Sequence, residues 1–134
     1  MPALTFRYKR VDENLRPLIP VEVVNRKTGK SVGQLVLVDS GADFCIFRAE
    51  VGEILGLNIK SGHKREFAGI SGESSICYVH NLEIIVGNVH YPIPVTFSYD
   101  IRDDGYGIVG QVGFFDQFKI TFDYSKKHVV LRTK

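Results

Sequence analysis

The chain has 134 residues, 44% hydrophobic and 24% charged, which fits one folded domain over residues 1–134 and excludes a disordered chain or a fibre. Seventeen Lys and Arg against fifteen Asp and Glu leave a formal charge of +2, so partners such as nucleic acid or anionic membrane are not expected. Cys45 and Cys77 are too few for a disulfide framework, and apolar runs such as Leu35-Val36-Leu37-Val38 are far too short to span a bilayer. The opening residues lack an apolar stretch of signal-peptide length, and a cytoplasmic protein is the expectation.

In chain order, residues 1–15 precede the first clear pattern and read as an N-terminal extension without an assigned role. Residues 21–24 and 32–38 are β-branched runs flanking Asn25-Arg26-Lys27-Thr28-Gly29-Lys30, a hairpin loop. Residues 48–57 place Val51, Ile54 and Leu55 at helical spacing, and Gly56 stops this short helix after about two turns. Lys60-Ser61-Gly62-His63-Lys64-Arg65 is basic without interleaved aromatics and reads as a solvated loop. Residues 82–86 and 89–93 flank Gly87-Asn88, the spacing of a primed two-residue hairpin turn. Pro92 and Pro94 belong on a strand edge, because proline has no N–H for a ladder. Residues 119–124 and 128–131 flank Ser125-Lys126-Lys127, a third hairpin. Many short strands and one short helix predict an all-β closed barrel or compact sandwich.

Chemistry concentrates at Leu35 to Asp43. A run that is apolar at every position predicts a strand buried on both faces, delivering Asp39 into a dry setting where ionisation is costly. Ser40 and Gly41 follow at once, and Gly41 permits a sharp turn that brings backbone N–H groups to the carboxylate. Ala42 leaves room for an approaching group. Leu35 to Gly41 has a loose echo in Gly107-Ile108-Val109-Gly110, again an apolar run ending in glycine. His63, His80, His90 and His128 have no metal-ligand spacing, so no metal or other cofactor is expected. Cys45 reads as a small core residue beside the turn.

Val38-Asp39-Ser40-Gly41-Ala42-Asp43 resembles the catalytic motif of the retropepsin-like aspartic peptidases. Phe67-Ala68-Gly69-Ile70-Ser71-Gly72 falls where that family carries its glycine-containing flap, and Ile108-Val109-Gly110 resembles the signature of its second half. Residues 114–124 look like the family's last strands and residues 16–23 like the opening of its small microbial members, so the likeness covers roughly 16–132. The resemblance implies a retropepsin-like closed β-barrel, half of a two-fold aspartic endopeptidase. In that reading Asp39 from each of two chains activates the water that attacks a polypeptide substrate, and the active form is a homodimer. Ser40 would hydrogen-bond across the dimer axis, Asp43 would meet the substrate backbone, and Gly69, Ile70, Ser71 and Gly72 would form the covering turn. One position departs from the pattern. Gln111 stands where related enzymes carry an Arg that pairs with the second Asp of the motif, and a neutral amide cannot form that charged fork. The alternative is therefore a retropepsin-fold interaction module with weak or no turnover.

Overall fold

The hairpins expected from turn residues are present in the computed structural model, which describes residues 3–68, 72–101 and 105–134. Strands β4 (Leu18–Asn25) and β5 (Lys30–Val38) run antiparallel with Asn25 opposite Lys30. The loop between them is held by the buried Asn25, whose Nδ2 donates to the Leu55 carbonyl at 2.9 Å and whose Oδ1 accepts the Lys27 N–H at 3.1 Å. Strands β8 (Ser74–Val86) and β9 (Val89–Ser98) turn at Gly87 and Asn88, with Gly87 at φ +60°. Strands β11 (Phe118–Asp123) and β12 (His128–Thr133) turn one residue earlier than expected, leaving Tyr124 in the loop. The cause is Asp123, whose carboxylate accepts the Ser125 hydroxyl at 2.7 Å and the Lys126 N–H at 3.1 Å and so closes the turn.

These strands form a ring. Its order is β4, β5, β10 (Gly107–Val109), β6 (Ile46–Arg48), β9 and β8, and it shuts where Glu22, Val23 and Val24 of β4 pair with Ile85, Ile84 and Glu83 of β8. Strand β7 (His63–Ala68) adds to the first half of β8, as far as Ala68 opposite Ser74. Residues 63–65, expected in a solvated loop, are therefore strand. A second sheet joins β1 (Leu4–Arg7), β12 and β11, and β2 (Lys9–Val11) pairs with β3 (Asn14–Arg16), which gives structure to the residues ahead of the barrel. Pro92 and Pro94 lie exposed on the part of β9 that pairs only with β8, since β6 joins β9 from Thr96 onward. The chain is thus mostly β, with a closed barrel.

Among the described residues the only α-helix is α1 (Ala49–Ile54), shorter than the expected 48–57 and ended by Gly56 at φ +83°. Ala49, Val51 and Gly52 are buried on it and Leu55 just after it, as expected for Val51 and Leu55, whereas Ile54, expected inside, is 61% exposed. The core is filled by Phe47, Phe97, Phe114 and Phe118, all fully buried, and each large apolar side chain so placed contributes roughly 1.5–3 kcal/mol. Strand β5 corrects a second expectation. Leu35 is 43% exposed and Leu37 only half-buried, whereas Val36 and Val38 are in the core. A barrel wall has one core face, so the unbroken apolar run still alternates in burial. Among the described residues no helix is long and apolar enough to cross a membrane.

Candidate active site

The two echoing segments lie side by side. Strands β5 and β10 pair in parallel, with Val36, Leu37 and Val38 beside Gly107, Ile108 and Val109. The turns that follow them are consequently brought together at one end of the barrel. The Asp39 N–H donates to the Val109 carbonyl at 3.0 Å, and the Gln111 N–H donates to the Ala42 carbonyl at 2.8 Å. Val112 then donates to the Asp43 carbonyl at 2.9 Å and forms an isolated bridge with Phe44. Gly110 sits in the angle between the strands. A Cβ there would stand 2.5 Å from the Ala42 carbonyl oxygen and 2.6 Å from that of Phe44, so a close approach of backbone to backbone requires glycine.

Within this double turn the half-buried Asp39 presents its carboxylate to a backbone donor: the Gly41 N–H lies 2.9 Å from Oδ1. The Ala42 N–H closes the turn on the Asp39 carbonyl at 3.2 Å. Ser40 and Asp43 are exposed. The Gln111 side chain does not take up Asp43; its Nε2 donates to the Ser40 carbonyl at 2.7 Å and ties the two turns together. Beneath the turn Cys45 is fully buried, accepting the Gly110 N–H at 3.4 Å and donating to the Val112 carbonyl at 3.6 Å. Burial pushes its thiol up to about 11, so it is a packing group and not a nucleophile.

A cleft of about 290 Å³ opens at Asp39. The turn contributes Asp39, Gly41, Ala42 and Asp43, and the remaining wall is Phe44, Ile46, Arg65 and Thr96. Arg65 and Phe44 were not singled out from the sequence as site residues. Arg65 comes from β7, is half-buried between exposed Lys64 and Glu66, and lays its guanidinium carbon 3.7 Å from the centre of the Phe44 ring. Its signal was hidden because a basic run reads as solvated unless its strand periodicity is recognised. Ile108, Val109 and Gly110 hold the Asp39 turn from β10 rather than line the cleft. Gly69, Ile70 and Ser71 lie outside the described residues; Gly72 is exposed with φ +82°.

A larger cleft of about 500 Å³ lies elsewhere, between the β4–β5 loop and β8. Its one carboxylate is taken up: Arg26 Nη2 donates to Glu83 at 2.6 Å, and His90 contacts the same carboxylate at 3.3 Å. His80 in its wall is engaged with the Ile59 carbonyl at 2.8 Å. No carboxylate there stands apart for chemistry as Asp39 does. Among the described residues no group of three or more His, Cys, Asp or Glu side chains is arranged to hold a metal ion.

No protein-family model and no curated protein matches the sequence. Among solved structures the chain is similar to a retropepsin-like aspartic protease from Rickettsia conorii, with a TM-score of 0.70 at 17% identity, covering 98% of this chain and 99% of that one. It is also similar to EIAV protease complexed with an inhibitor, with a TM-score of 0.54 at 17% identity, covering 77% of this chain and 88% of that one. The fold is retropepsin-like, and the resemblance read from the motifs extends to the architecture.

Proposed function

We propose that the protein is an aspartic endopeptidase that works as a homodimer, with an Asp39 from each chain on either side of the attacking water. The observation that carries this reading is the setting of Asp39: a half-buried carboxylate at the end of a barrel strand, holding a backbone N–H and opening on a cleft. The chain has a single Asp-Ser-Gly motif, so the second carboxylate must come from another copy, and a two-fold axis brings identical groups together. Two carboxylates ~3 Å apart cannot both ionise cheaply and share one proton. The ionised one takes a proton from water as it attacks the peptide carbonyl; the protonated one donates to the carbonyl oxygen. Ser40 then steadies the pair across the axis, Asp43 meets the substrate backbone, and residues 69–72 cover the cleft and exclude water.

The bond from Gln111 to the Ser40 carbonyl favours a second reading, an interaction module of the same fold. It spends the amide within one chain and leaves no charged brace for Asp43. Incubation of the purified protein with an unstructured polypeptide from pH 3 to 8 separates the two. The peptidase reading expects cleavage blocked by a statine-type inhibitor and abolished in Asp39→Asn; turnover that survives this substitution overturns it.

A further inference from the structure

Resting on the peptidase reading, we infer that Arg65 makes the enzyme select substrates with an acidic side chain at one position in the cleft. The inference starts from how the guanidinium is held. Its plane carries five N–H donors, and stacking on an aromatic face leaves the in-plane donors free. Arg65 stands 3.7 Å from the Phe44 ring centre and makes one long hydrogen bond, 3.4 Å from Nη1 to the Thr96 hydroxyl. Thr96 is itself buried in the barrel wall, so this contact together with the Phe44 ring gives the fork a fixed backing. Among the described residues no other hydrogen bond and no ion pair engages Arg65.

A half-buried arginine is therefore oriented, stacked and uncommitted inside the same cleft as Asp39. Asp39 and Asp43 make the rest of that cleft acidic, which alone would repel an acidic substrate. Neither Asp39 nor Asp43 is in ion-pair contact with Arg65, so a side-chain carboxylate can take up the guanidinium at hydrogen-bond distance, where the attraction is strongest. The paired geometry of a guanidinium and a carboxylate adds direction to that attraction, and little ordering is needed because the stack has already fixed the arginine.

The test uses peptides that differ only by Glu or Gln at each successive position around one cleavable bond. For the unaltered protein, kcat/KM at one position should favour Glu by about tenfold, the size of one added charge-assisted hydrogen bond. In Arg65→Gln the Glu/Gln ratio at that position should fall to about one, and in Arg65→Lys it should be intermediate, because lysine keeps the charge and loses the fork. Ratios are taken within one preparation, so a loss of folded protein cancels. The same pairs are built as non-cleavable statine peptides, and their binding is measured by calorimetry. Cleavage without a Glu preference at any position, or a preference that persists in Arg65→Gln, overturns the inference and leaves the peptidase reading standing. Absent cleavage with Glu-dependent binding that Arg65→Gln removes overturns the peptidase reading and supports Arg65 as the acid-selecting group. Absent cleavage with equal binding of both peptides overturns both.

Discussion

Gln111 donates its side-chain amide to the Ser40 carbonyl at 2.7 Å, joining the turn after β10 to the turn that carries Asp39. Both residues are exposed, so the bond competes with water, and its net worth is ordinary for a neutral pair. Gln111→Ala should lower stability by about 0.5–1.5 kcal/mol, read as a lower urea midpoint at unchanged slope. If assembly depends on the order of this turn, sedimentation of the same variant should show more monomer at a given concentration. An unchanged midpoint would mean that the two turns are held by backbone bonds alone.

Gly110→Ala should be far more damaging than its single methyl group implies. Its Cβ would meet the carbonyl oxygens of Ala42 and Phe44, backbone atoms of a stretch that Gln111 and Val112 hold by hydrogen bonds to Ala42 and Asp43, so they cannot step aside. A cost of about 2–3 kcal/mol is expected, together with loss of any cleavage, because relief of the clash moves the Asp39 turn. Gly33→Ala is the control: a Cβ there meets nothing within 4 Å, and the unfolding midpoint should barely change.

Acid should weaken the fold partly through Glu83. Arg26 donates two hydrogen bonds to it and holds its carboxyl below the ordinary 4.5, with His90 adding a smaller pull. A carboxylate whose native pKa is lowered stabilises the fold above its unfolded value, and that contribution disappears as pH falls through the native value. Glu83→Gln should therefore lose less stability than the unaltered protein between about pH 5 and pH 3. The Arg26 side chain is 71% exposed, so the difference is small, and 0.5 M salt should shrink it further. Parallel pH curves for the two proteins would remove Glu83 as a contributor.

Neither thiol should react while the protein is folded. Cys45 and Cys77 are both fully buried, and burial raises the pKa of each. Iodoacetamide at pH 8 should leave the native mass unchanged and add two groups in 6 M guanidinium chloride. Rapid labelling of Cys45 in the folded state would show that the turn above it opens.

The hairpins and the helix stop were legible because turn chemistry is local: Gly56 and Gly87 occupy positive φ, where side chains are strained. The Asp39 turn was legible for the same reason, as Gly41 lies two residues from the carboxylate it serves. Pairing between distant segments was not. Nothing in Leu35 or Ile54 says that the barrel turns them outward, because exposure is decided by which strand or helix face meets the core. Arg65 was missed on similar grounds: its meaning comes from Phe44 and Thr96, which only the closed ring places beside it.

The ring is shut by a narrow seam. Three residue pairs, Glu22 with Ile85, Val23 with Ile84 and Val24 with Glu83, join segments far apart in the chain. The hairpins on either side can form early from nearby residues, but this seam must wait until both exist, and distant pairings are slow to find. A barrel opened along this line would expose two bare strand edges, and fusion of such edges between copies is a route to aggregates. Arg26, two residues past Val24, grips Glu83 in the last pair of the seam, which makes that ion pair a clasp on the closure as well as a surface charge pair.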